Sequence, residues 1–132
     1  LKRGIATVFA SMPDLLSDIR SSFARGNTED VMQAVKEAPF LVLDDLGAER
    51  MTEWVGEQLF CIINHRYNEK LQTIITSNYD AGSIIARMAT VNQNGAVIDD
   101  TQGNRIMSRV YGMCQGIEFA GDDWRKPKGV TA

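Results

Sequence analysis

Two adjacent carboxylates, Asp44 and Asp45, follow the apolar run Phe40-Leu41-Val42-Leu43. A continuous apolar run reads as a strand covered on both faces, as in a parallel sheet. Acids at its end stand at the carboxyl edge, where open α/β sheets bind their ligands. One carboxylate there can hold Mg²⁺ beside a nucleotide's phosphates, directly or through water. The second can orient a water for attack on the terminal phosphate. The plainer alternative is two acids capping a loop ahead of Gly47. Ser77-Asn78 ends the neighbouring strand candidate, and a polar side chain there could reach the same water; Ser and Asn at a strand end are also common turn formers. Arg105 and Arg109, four residues apart, share one helix face. Such a pair can clamp phosphate or serve as an arginine finger for a neighbouring subunit's ATP; the alternative is a solvated surface pair. Arg125, just after Asp122-Asp123-Trp124, is a third candidate, with an ion pair to those acids as its alternative.

The elements that must position these groups are legible from periodicity. Ile5 to Ala10 reads as a short buried strand. Ser11 and Asp14 form a capping-box-like start, with Pro13 tolerated in the first turn, and Leu15, Leu16, Ile19 and Phe23 fall at helical spacing before Gly26 ends the helix. A second helix begins near Asn27 or Thr28, carries Val31, Ala34, Val35 and Ala38 on one face, and closes at Pro39. Thr52 caps a third, with Val55, Leu59, Ile62, Ile63, Arg66 and Tyr67 as its stripe. Residues 72–78 form another strand and 80–88 a short helix. Residues 91–98 form a hairpin or loop around Asn94-Gly95, a pair that favours a tight turn. A helix from Asp100 or Thr101 runs through Ile106, Val110 and Met113, and Gly116 to Ala120 is the last strand. Alternating strands and helices of this kind predict an α/β fold with a parallel sheet.

Composition narrows the class. The chain has 132 residues, 44% of them hydrophobic, enough for one domain with a packed core. No apolar run approaches the roughly 20 residues that span a bilayer, and no leader-like segment opens the chain. Cys61 and Cys114 lie far apart in apolar patterns, which predicts two buried, reduced thiols in a cytoplasmic protein. The net charge of −3 means that any nucleic-acid contact must come from a local patch. Leu1 to Gly4 leads straight into the first strand, as the middle of a domain would.

The ordered motifs resemble the AAA+ ATPase domain of the bacterial DnaC/DnaI helicase loaders and their IstB-type transposase-helper relatives. Phe40 to Glu49 is similar to the family's Walker B segment, and Thr73 to Tyr79 to its sensor 1 strand. Arg105 to Cys114 resembles the helix carrying the arginine finger, with Arg109 at that position. Gly121 to Arg125 resembles the terminal motif, whose arginine is sensor-2-like. The resemblance implies a P-loop NTPase core, a three-layer sandwich truncated at its N-terminus, over 1–125, with 126–132 a polar tail. It also implies ATP and Mg²⁺ as cofactors: Asp44 and Arg125 bind the nucleotide, Asp44 holds the metal, and Asp45, Asn78 and Arg109 are catalytic, Arg109 in trans between self-associated subunits. Implied partners are a replicative DNA helicase and single-stranded DNA, with no membrane.

Two departures stand out. The family's G-x-x-x-x-G-K-[ST] phosphate loop, whose N–H groups and Lys cradle phosphates, is absent, since no Gly-Lys pair is followed by Ser or Thr. The family places it before Ile5, so it would lie upstream of Leu1, together with the strand that is central in the family's sheet. Residues 89–102 also make a longer connection than the family's usual one. The helix pair at 12–38 matches the family's element for single-stranded DNA, where Arg20, Arg25 and Lys36 could meet phosphates; Asp14, Asp18, Glu29, Asp30 and Glu37 offset them, and a solvated helical face is the alternative. Beside helicase loading stand two other readings: an IstB-type transposition helper, and a catalytically inactive fragment that binds only DNA or protein. A phosphoacceptor receiver domain also has an acid pair at a strand end, but it needs that pair on its first strand and a Lys after its last, and Gly121-Asp122-Asp123 supplies none.

Overall fold

The computed structural model describes residues 4–123 and 125; the segment Leu1 to Arg3, Trp124 and the tail expected over 126–132 lie outside the described residues. The order is β1 (Thr7–Ser11), α1 (Met12–Arg25), α2 (Thr28–Glu37), β2 (Phe40–Asp44), α3 (Glu53–Asn68), β3 (Gln72–Ile75), α4 (Ala81–Met88), β4 (Thr90–Val91), β5 (Val97–Asp99) and α5 (Thr101–Met113). The first three strands form a parallel sheet in the order β1-β2-β3, and β4 and β5 form a separate antiparallel hairpin.

The helix boundaries follow local chemistry. Ser11 accepts from the Asp14 N–H and donates to the Asp14 carboxylate, and Gly26 closes α1 at φ +71°. Thr52 caps α3 by accepting from the Val55 N–H, and Asp80 caps α4 through the Ser83 N–H. That last bond holds the Asp80 carboxyl below the usual carboxylate range. Asn27 precedes α2 without making a side-chain cap bond.

Strand order decides where the core lies. The chain steps from β1 to β2 to β3 in one direction across the sheet, and right-handed crossovers then put α1, α2 and α3 on a single face. There Leu41 and Leu43 pack with Leu15, Leu16, Ile19, Leu59, Ile62 and Ile63. On the opposite face the register sets Phe9, Val42 and Ile74 in one row, with Phe9 67% and Ile74 48% exposed. The expectation that β2 is covered on both faces is therefore corrected: its burial alternates, and one face is packed. The same geometry corrects the first strand, which spans Thr7–Ser11 as a half-exposed edge rather than a buried strand over residues 5–10.

Further expectations fail for local reasons. Residues 116–120 form no strand; Ile117 and Phe119 are exposed, since an extended segment without a neighbouring ladder has no partner for its backbone. Ser22, rather than Phe23, completes the buried stripe of α1, and Tyr67 lies outside that of α3. Cys61 is exposed and Cys114 half-buried, so the two thiols are not both core residues; position 61 falls on the outer side of α3 between buried Leu59 and Ile62.

Arg66, expected on the α3 stripe, is fully buried. Its guanidinium donates to the carbonyls of Val35, Lys36, Ala38 and Gln72 and to Thr73 Oγ1. It thereby satisfies carbonyls at the end of α2 and fixes the starts of β2 and β3 relative to α3.

Candidate active site

The carboxyl ends of β2 and β3 are tied together by Thr76. Its Oγ1 donates to Asp44 Oδ1 at 2.6 Å and accepts from the Asp45 N–H at 2.9 Å. Its backbone N–H donates to the Leu43 carbonyl and its own carbonyl accepts from the Leu46 N–H, so the chain beyond β3 continues to follow the chain beyond β2. Asn78 Nδ2 then donates to Asp45 Oδ1 at 3.3 Å. The structure thus brings Asp44, Asp45 and Asn78 into one array, as the sequence predicts. Ser77, the other polar residue of that strand end, is committed elsewhere: its hydroxyl donates to the Leu46 carbonyl. Thr76 is the residue that sequence reasoning missed. The signal was present as a hydroxyl directly after the apolar strand, but Thr is so common in strands that it carried little weight.

Asp45 has φ +64°, in the left-handed region that few non-glycine residues occupy. The bend turns the chain out of β2 at the second carboxylate. Backbone strain of this kind gathers at functional sites, where surrounding bonds over-determine the conformation, and here the bonds are those from Thr76. Gly47 continues the turn at φ +94°, and a Cβ on it would stand 2.8 Å from Tyr79 Cδ2, so the loop after the acids requires glycine twice over. Arg87 also lies over this ring, 4.5 Å from the Tyr79 centroid.

Arg105 and Arg109 share a face of α5 as expected. Both guanidiniums lie over Phe60 of α3, at 4.3 and 4.9 Å from its ring centroid. Arg109 Nε also donates to Asn64 Oδ1, and its Nη1 to the Arg105 carbonyl. The hydrogen-bond partners of Arg109 are thus on α3 and α5, away from Asp44, Asp45 and Asn78. Arg125 pairs with Asp123 at 3.0 Å, the local ion pair that was its alternative. The Arg125 side chain and backbone N–H together hold the Asp123 carboxyl below its usual range.

The three nucleic-acid candidates are spread over two helices, Arg20 and Arg25 on α1 and Lys36 on α2. Arg20 lies 4.8 Å from the Trp54 ring centroid, and Phe23, 56% exposed, meets the same ring at a tilt, 6.3 Å between centroids. Arg25 and Lys36 sit in the last turns of α1 and α2, and among the described residues their side chains make no ion pair. The Arg20–Trp54–Phe23 group joins a cation to aromatic faces, a combination that suits stacked bases and phosphate. Trp54 was not anticipated, and helical spacing alone reads Phe23 as core.

Three parallel strands joined through helices, with acids at one carboxyl end and an amide at the next, share the fold of the P-loop NTPase core of the AAA+ type. The crystal structure of the DnaC helicase loader has the same fold, with a TM-score of 0.68 and 30% identity, over 86% of this chain and 61% of that one. AMPPCP-bound DnaA from Aquifex aeolicus shares the fold at a TM-score of 0.56 and 22% identity, over 81% of this chain and 30% of that one. The family model for IstB-like ATP binding proteins matches residues 1–132, and the chain belongs to that family. It is also similar to the replicative helicase loader DnaI of Bacillus subtilis (strain 168), with 27% identity over 123 residues. That match covers 92% of this chain and 39% of the relative. Among the described residues no helix is long and apolar enough to cross a membrane.

Proposed function

We propose that the protein carrying this chain is an ATPase of DNA replication that helps place a replicative helicase on single-stranded DNA in the cytoplasm. The observation that carries the reading is the Asp44–Thr76–Asp45–Asn78 array at the sheet edge. Membership in a family of ATP-binding proteins and likeness to two helicase loaders support it.

The array suits a nucleotide with Mg²⁺. Among the described residues no three His, Cys, Asp or Glu side chains gather, so this edge builds no all-protein metal cage. One or two carboxylates suit an ion that keeps water and phosphate oxygens as its other ligands. Asp44 would hold it, with Thr76 fixing one carboxylate oxygen and leaving the other available. The ion's chemistry there would be to neutralise phosphate charge. Asp45 would accept a proton from the attacking water and Asn78 would orient that water. Arg109 would act on the nucleotide of an adjacent subunit, and Arg125 would serve as the sensor-2-like contact after leaving Asp123.

The 132 residues contain no G-x-x-x-x-G-K-[ST], so in this reading the grip on the phosphates is supplied from outside them. The row Phe9–Val42–Ile74, exposed at Phe9 and Ile74 and half-buried at Val42, fits this, for an apolar sheet face calls for a covering layer. The missing loop also favours a second reading, in which the chain alone is an inactive module that binds DNA or protein. Micromolar, Mg²⁺-dependent ATP binding by the 132 residues alone would exclude that second reading.

The family's other branch, helpers of transposition, is separated by a loading assay. The protein should raise the amount of replicative helicase bound to protein-coated single-stranded DNA in the presence of ATP. No effect on the helicase, combined with stimulation of a transposase, would assign it to the other branch.

A further inference from the structure

We propose that Asn64 is a positioning residue for Arg109, fixing the guanidinium that the protein presents to a neighbouring subunit. The inference rests on the trans-acting reading of Arg109 given above. Helix α5 packs on α3 through the buried Ile106 and Met107. At this contact α3 offers Phe60 and Asn64, one turn apart and therefore on the same face. Asn64 Oδ1 accepts from Arg109 Nε at 2.6 Å, the Arg105 carbonyl accepts from Arg109 Nη1 at 3.0 Å, and the Phe60 ring underlies the guanidinium.

These restraints act on a long side chain that has many rotamers when free. Losing that freedom during folding removes it from the cost of meeting a phosphate. The bonds use the Nε side and one Nη1 proton. Among the described residues Nη2 has no hydrogen-bond partner, so one end of the planar fork remains for a phosphate oxygen. An amide suits this role because it orients the cation while leaving its charge unneutralised.

Arg105 is the internal control. It lies over the same ring at 4.3 Å, yet its side chain makes no hydrogen bond among the described residues and it is exposed. Of two cations against one ring, the one at the family's finger position is the one that is tethered.

The test uses mixed assemblies of the full-length protein. One subunit type carries Arg109→Ala and can hydrolyse ATP but lacks its own finger. The other carries Asp45→Asn and can donate a finger but cannot hydrolyse. Mixing them should restore turnover. Adding Asn64→Leu, which keeps the branched side-chain shape but removes the acceptor, to the donor should cut the restored turnover about tenfold or more. The same substitution in the receiving subunit should change nothing, and Asn64→Gln in the donor, which keeps a neutral acceptor oxygen, should preserve more of the turnover than Asn64→Leu. Restored turnover that is indifferent to Asn64→Leu in the donor would overturn the positioning role and leave Arg109's role standing. Equal loss from donor and receiver would mean a packing role only, again overturning it. Mixtures of the unmodified donor and receiver that stay inactive would remove the trans reading and the proposal with it.

Discussion

Thr76 Oγ1 donates to Asp44 Oδ1 at 2.6 Å while accepting from the backbone N–H of Asp45 at 2.9 Å. One hydroxyl thereby orients the first carboxylate and holds the strained backbone of the second. Thr76→Val keeps the shape and removes both bonds. It should cost about 0.5–1.5 kcal/mol in urea denaturation, a modest value because the site is open to water. In the active protein it should also lower turnover more than it lowers ATP affinity. Thr76→Ser should behave like the parent; if Val and Ser variants match, the hydroxyl is not what ties the two strand ends.

The buried Arg66 makes a sharper stability prediction. Its five acceptors include four backbone carbonyls, from the end of α2 to the start of β3. Burial pulls the guanidinium below its ordinary pKa and the charge of Glu37 partly opposes this. Arg66→Met should lose about 3 kcal/mol or more, because it strands buried carbonyls. A urea midpoint for Arg66→Met close to the parent value would show that the network contributes little.

The two cysteines should differ in reactivity. Burial pushes the Cys114 thiol above its ordinary pKa, whereas Cys61 is exposed. The thiolate is the reactive form, so alkylation at mildly alkaline pH should label Cys61 first. Cys114 should react only as pH rises past the usual thiol range. The raised pKa also means that its contribution to stability is full at neutral pH and is lost as pH climbs through the folded value. Mass spectrometry after timed alkylation reads the order directly, and equal labelling at both sites would contradict the burial of Cys114.

Much of the fold was legible because its signals are local. The Ser11–Asp14 cap, Gly26, the Thr52 cap and the run before Asp44 each fix a boundary by chemistry within a few residues. Asp44, Asp45 and Asn78 were legible as a group because strand ends of a parallel sheet converge. What failed was long-range. Whether β2 is covered on one face or two, and whether residues 116–120 join a sheet, depends on partners that the run itself does not encode. Phe23 illustrates the same limit, since apolar spacing reads it as core while the structure leaves it exposed beside Trp54 and Arg20. Thr76 was missed for the opposite reason: its role is specific, but its residue type is ordinary for a strand.

If single-stranded DNA is held along α1, as proposed, the Arg20–Trp54–Phe23 group is where it would be met. Arg20→Ala with Arg25→Ala should weaken binding and reduce the salt slope by about 0.7 for each phosphate no longer neutralised. Trp54→Ala should weaken binding by about 1–3 kcal/mol with little change in that slope, as removal of a stacking surface does. Titration of an oligonucleotide at several salt concentrations separates the two effects. Unchanged affinity and slope in the double arginine variant would remove α1 from the DNA interface.

If the carboxylates closing β2 run nucleotide hydrolysis, Asp45→Asn reports on them most directly. Asn tolerates the left-handed backbone at φ +64°, so the variant should fold like the parent. In the full-length protein, Mg²⁺-dependent ATP hydrolysis should then fall to background while ATP binding persists. Turnover equal to that of the parent would contradict the assignment of this strand end as the hydrolytic site.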